Sequence, residues 1–175
     1  MPEISPSVTA SSPVAEPSAT PNVIEPAAET AYRSALEASS ASARESGLTE
    51  LWYDTDKDLV QIVVQEPKSK RFVSYDVTDE ALYPIDETAM MPTRLLAELD
   101  GLIKGGLDQG SVVTSPSGGF IITNIIDLTV YITTYTLDDA GRIATASIIA
   151  DDEPLGTVTY NFLITTEGEK ALAAD

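Results

Sequence analysis

The chain contains neither cysteine nor histidine in its 175 residues. Those two absences exclude a disulfide framework, a thiol nucleophile, a Cys/His zinc site and a Ser-His-Asp triad. Basic residues are scarce, 10 Lys and Arg against 28 Asp and Glu, for a net charge of -18. A surface of that sign repels phosphate backbones, so no nucleic-acid partner is expected. No apolar run reaches the 18 residues of a transmembrane helix. No signal peptide is expected in the chain either, because Met1-Pro2-Glu3 leads straight into Pro/Ser-rich sequence.

What is present divides in two. Residues 1–28 hold six of the eleven prolines, many Ser, Thr and Ala, and no aromatic or basic residue. Such a stretch buries too little apolar surface to offset the entropy of ordering, so a disordered spacer is expected there. Its one adjacent pair of large apolar residues, Val23-Ile24, is read as part of that linker. A spacer of this composition commonly follows the anchoring Cys of a bacterial lipoprotein. The expectation is therefore a domain tethered to the outer face of a cell membrane through a missing N-terminal lipid anchor, or secreted.

Residues 29–175 are enough for a single domain. A helix is predicted over 29–46, with Tyr32, Ala35, Leu36 and Ala43 on one side, Ser39 interrupting them and Gly47 as a left-handed stop. Period-two patterns then predict strands at 48–54, 59–66 and 71–77. In the second of these, Val60, Ile62 and Val64 alternate with Gln61 and Gln65. Pro92 opens a second amphipathic helix carrying Leu95, Leu96, Leu99, Leu102 and Ile103. Five more strands follow, at 111–114, 120–126, 129–137, 142–150 and 157–165. Hairpin-length links make the sheet antiparallel. The fold class is α+β: a curled, half-barrel-like antiparallel sheet of about eight strands with two helices packed on it.

Few residues point to chemistry. Asp54, Asp56 and Asp58 begin like a calcium loop, but Leu59 and Gln65 stand where an EF-hand needs Gly and Glu, so an acidic hairpin tip is the better reading. Asp138-Asp139 and Asp151-Asp152-Glu153 are acidic turns, which a carboxylate-based hydrolase would have to bring face to face. No catalytic residue, metal ligand or cofactor site is assigned. Lys68, Lys70 and Arg71 gather three of the ten basic residues at one hairpin tip, a candidate contact for an anionic headgroup. Trp52, Tyr53, Phe72, Tyr75 and Tyr83 crowd the first three strands and the segment after them, either all as core or with Trp52 and Tyr75 at the mouth of an apolar cavity.

The segment Tyr135-Thr136-Leu137-Asp138-Asp139-Ala140-Gly141-Arg142-Ile143 has the form Y-x-L-D-x-x-G-R-I. With the spacer, the leading helix and the strands interrupted by one helix, it resembles the LolA-like superfamily of lipoprotein carriers, including the LppX/LprG-like actinobacterial lipoproteins. That resemblance implies a half-barrel whose helices cover its concave face, a cavity for acyl chains and no catalytic residues. The expected function is thus non-enzymatic binding or carriage of a lipid or other amphiphile. The expected lining is Trp52, Ile62, Val64 and Tyr75 from the first strands and Leu96, Leu99 and Ile103 from the helix, with Ile132 and Ile148 from the later strands. The alternative is a surface protein-interaction module with a filled core.

Overall fold

A computed structural model describes residues 23–69, 72–85 and 110–175. The elements run β1 (Val23–Ile24), α1 (Pro26–Ser46), β2 (Leu48–Tyr53), β3 (Leu59–Gln65), β4 (Phe72–Thr78), β5 (Ala81–Pro84), β6 (Gly110–Thr114), β7 (Gly119–Ile126), β8 (Thr129–Leu137), β9 (Ile143–Ala150), β10 (Glu153–Asn161) and α2 (Thr166–Ala174). The class is α+β. All ten described strands form one open sheet in the order β1-β6-β7-β8-β9-β10-β2-β3-β4-β5. Every pairing is antiparallel except β1 on β6, so the sheet is mixed and larger than the eight strands expected.

The added strands are the shortest, at the two edges, where a two- or four-residue segment carries too little alternation to be read from sequence. β1 and the first turn of α1 also place regular structure within 23–28, in the stretch expected to be a disordered spacer. Val23 and Ile24 pair with Ser111 and Val112, and the Glu25 N–H donates to the Val112 carbonyl at 2.9 Å. The Glu25 carboxylate in turn accepts from the Thr114 N–H and hydroxyl at 2.9 and 3.0 Å. Those contacts, the backbone N–H first, hold its pKa below the usual carboxylate value.

α1 starts at Pro26, whose missing N–H is an orphan of the first turn in any case. Its buried stripe is Ala28, Tyr32, Ala35, Leu36, Ser39 and Ala43. It ends on Gly47, which has φ 85° but ψ 174°, an extended glycine-only region rather than the left-handed helical stop expected. A Cβ there would lie 2.8 Å from Ile164 Cδ1 and 3.0 Å from the Gln65 carbonyl oxygen.

β10 begins four residues earlier than its apolar alternation suggests, at Glu153. Pro154 lacks a ladder N–H, and the register shifts between Pro154 and Gly156, so a bulge breaks the alternation at the start of the strand. The chain then closes with α2, which the sequence reading did not anticipate. It is nine residues long and carries an internal glycine. Thr165 caps it by accepting from the Gly168 N–H at 3.2 Å. Gly168 is needed because a Cβ there would sit 2.6 Å from Thr49 Oγ1. That hydroxyl is held in place, donating to the Leu163 carbonyl at 2.8 Å and accepting from the Thr165 N–H at 3.1 Å.

The two described helices lie on opposite faces of the sheet, as the alternation of strand side chains between their cores shows. Leu48 and Trp52 of β2 join the α1 core, whereas Leu51 and Tyr53 join the α2 core with Ala171 and Leu172. The α1 core centres on three rings, with Tyr32 4.5 Å from Phe120 and 6.0 Å from Tyr135, and Phe120 5.2 Å from Tyr135. The helix predicted to open at Pro92 lies outside the described residues.

Candidate functional site

The register places each expected lining residue on one face or the other. Trp52 and Ile148 lie at the margin of the α1 core. Ile62, Val64 and Tyr75 are buried in the α2 core on the opposite side. Ile132 pairs with Ile149 and Thr123, one residue out of phase with the α1-facing Thr133 and Ile122, so it too lies on the side away from α1. Leu96, Leu99 and Ile103 lie outside the described residues. The structure therefore does not gather the described members of the set around one cavity. Hydropathy does not show the split, because β3 is buried on both faces: Ile62 and Val64 on one, Val63 and Gln65 on the other.

Of the basic hairpin tip, Lys68 is described and Lys70 and Arg71 are not. Lys68 has φ 61°, and its N–H donates to the Arg44 carbonyl at 2.7 Å, tying the β3–β4 turn to the end of α1.

On the α1 face, cross-strand register lines up Tyr160, Glu50, Val63 and Ser74 over β10, β2, β3 and β4. All four are buried, Glu50 at 3% exposure. Its Oε1 accepts from Trp52 Nε1 at 2.7 Å. A buried carboxylate needs such hydrogen bonds to offset the cost of leaving water. The next rows carry Trp52 with Val158, then Ile148 with Thr133 and Tyr131 with Ala150. This zone is apolar and aromatic with one carboxylate in it. Glu50 was not singled out from sequence, where it is one acid among 28. Its place between Thr49 and Leu51 in a strand is the only local sign.

The charged turns are sorted by end. The antiparallel order brings β2–β3, β4–β5, β7–β8 and β9–β10 to one end of the sheet. They carry Asp54, Asp56 and Asp58, then Asp79-Glu80, Asp127 and Asp151-Asp152-Glu153, with Lys57 the sole base. In the first, Asp54 Oδ1 accepts from the N–H groups of Asp56 and Asp58, each at 2.9 Å, which makes it a turn builder. The other three are two-residue hairpins with positive φ at both central residues, the type I′ signature. Among the described residues, no three carboxylates converge as metal ligands would.

Asp138 lies at the other end, separated from Asp151 by the length of β9, about 26 Å at ~3.3 Å per residue. Glycosidase carboxyls stand roughly 5 to 9.5 Å apart, so these two turns do not form such a pair. Asp138 has a structural task instead. It meets Arg142 at 2.7 Å, and the Arg142 guanidinium stacks 4.6 Å from the Phe162 ring centroid. Partial burial pushes the Asp138 carboxyl up, but the hydrogen bonds and charge of Arg142 and the Ala140 N–H together hold it below its ordinary value. Above this turn the Ile143 N–H donates to the buried Ser39 hydroxyl at 3.0 Å, which explains a serine in the apolar stripe of α1.

No helix of the described residues is long and apolar enough to cross a membrane. No protein-family model, curated protein or solved structure matches the chain.

Proposed function

We propose that the protein is a non-enzymatic binding module that holds a lipid or another amphiphile against the α1-bearing face of its sheet. The reading places it on the outer face of a cell membrane, with the Pro/Ser/Ala-rich residues 1–22 as spacer to a lipid anchor. It includes the curled, half-barrel form of the sheet. The supporting observation is a mismatch of size. The ten described strands at about 4.8 Å spacing make a sheet some 43 Å wide, whereas α1, the described helix on this face, is about 10–12 Å across. α1 covers the zone of Tyr32, Phe120 and Tyr135, and leaves Trp52 and Ile148 only partly buried at its margin. Each acyl methylene removed from water there contributes about 0.8 kcal/mol.

Trp52 is the sole tryptophan, so its emission reports on this zone alone. The test is native mass spectrometry and organic extraction of the purified full chain, followed by titration with oleate. Co-purifying mass in the fatty-acid or phospholipid range and a blue shift of Trp52 emission are expected. A clean extract together with unchanged emission overturns the reading. A second reading, a protein-interaction module with a filled core, is favoured by the contiguous Tyr32, Phe120 and Tyr135 rings at the centre of the same face.

A further inference from the structure

The face of β7–β9 turned away from α1 carries no described helix, and it is not uniformly polar. Register pairs Ile125 with Val130 and Ile132 with Ile149, and Val130 and Ile132 are two apart on one strand. The four therefore form one apolar patch beside the β7–β8 turn. Ile125 and Ile149 are 37% and 36% exposed, unusual for β-branched residues in the middle of a sheet. At the turn itself Leu128 is 93% exposed. It occupies a positive-φ position (71°) that Asn or Gly would fill without penalty.

Among the described residues, the charge beside this patch is of one sign. Asp127 adjoins Leu128, and Asp151, Asp152 and Glu153 form the neighbouring turn. Asp151 is locked to the patch, its N–H donating to the Val130 carbonyl and its Oδ1 accepting from the Val130 N–H, both at 2.9 Å. The molecule as a whole carries -18, so a second copy or an anionic bilayer meets like charge on approach.

We infer that this patch is a docking surface for a cationic amphipathic segment of another protein, whose apolar side chains cover Ile125, Val130, Ile132 and Ile149 while its Lys or Arg residues face the acidic turns. Apolar burial supplies the affinity, and charge complementarity selects the partner and speeds encounter. The inference gives the interaction-module reading its surface. It uses the face opposite the amphiphile zone, so either can fail without the other.

The test uses the full chain and a synthetic amphipathic helix of leucine and lysine, with a leucine/glutamate helix as control. Binding is read by fluorescence anisotropy and mapped by amide shifts. The Leu/Lys helix is expected to bind, with shifts on β7–β9 and the two turns, and to associate more slowly and bind more weakly, without full release, at about 1 M salt, where the Debye length is ~3 Å. Ile132→Thr with Ile149→Thr should weaken binding roughly tenfold or more. Leu128→Asn suits the turn better than leucine, so it should keep the melting temperature and still weaken binding. The inference is overturned if these variants bind the Leu/Lys helix as tightly as the parent, which would mean general attraction to an acidic protein. Equal binding of the Leu/Glu helix overturns it, as does concentration-dependent self-association that the same variants abolish.

Discussion

The same three strands, β7, β8 and β9, present two unlike surfaces. Toward α1 they offer Phe120, Ile122, Tyr135, Ile143 and Ala146, all buried. One residue along, they offer Ile121, Ile125, Thr134, Ile132, Ser147 and Ile149, half-buried or exposed. The two sets are not separated by hydropathy, since isoleucine stands in both. What separates them is the helix 26–46, which lies on one side only. An isoleucine in a strand has no fixed fate until a second element chooses a face, and the patch around Ile132 is the remainder left by that choice.

Four substitutions or conditions sharpen the contrast. The largest effect is expected from Tyr32→Ala, which empties the middle of the ring cluster. It should cost about 3–5 kcal/mol and lower the melting temperature by roughly 8–15 °C. Ser39→Ala comes next. It leaves the Ile143 N–H without its acceptor in a buried site, at a cost of about 1–2 kcal/mol in urea unfolding after the better helix propensity of alanine is allowed for.

Acid should act more weakly and in a defined window. The carboxyls of Glu25, Asp138 and Glu167 all have pKa values held below their ordinary ones. For Glu167 its own N–H is the main cause, followed by the Thr165 side chain. A depressed folded-state pKa contributes stability that is complete above the unfolded value, about 4, and is lost as pH falls through the folded value. The melting temperature should therefore drop from pH 5 to pH 3, and drop less in Asp138→Asn. Smallest of all is Ile149→Thr on the open face, expected within about 0.5 kcal/mol of the parent by urea unfolding. A loss near that of Tyr32→Ala would mean the two faces are equally load-carrying, and the contrast would fail.

The strands were legible where alternation ran for five residues or more between strong turns, as in β8 and β9. The buried stripe of α1 was legible for the same reason, down to Tyr32, Leu36 and Ala43. The edge strands β1 and β5 and the helix α2 were not, because two, four and nine residues carry too few periods to rise above chance. From sequence the candidate lining forms a single set, because alternation gives each residue a parity and not a direction. Ile62 and Trp52 are both inward by hydropathy, yet they point to opposite sides of one sheet.

Composition and pattern alone determined that this chain is acidic, α+β and dominated by antiparallel hairpins, because turn chemistry and periodicity are local properties. Tertiary structure decided which face each strand buries, since that depends on where α1 and α2 lie. It also gathered four of the acidic turns at one end of the sheet and left Asp138-Asp139 at the other, a consequence of strand order that no local window contains. Ser39 became a hydrogen-bond acceptor by the same route, through Ile143, and Glu50 was buried beside its strand neighbour Tyr160, each about a hundred residues away along the chain.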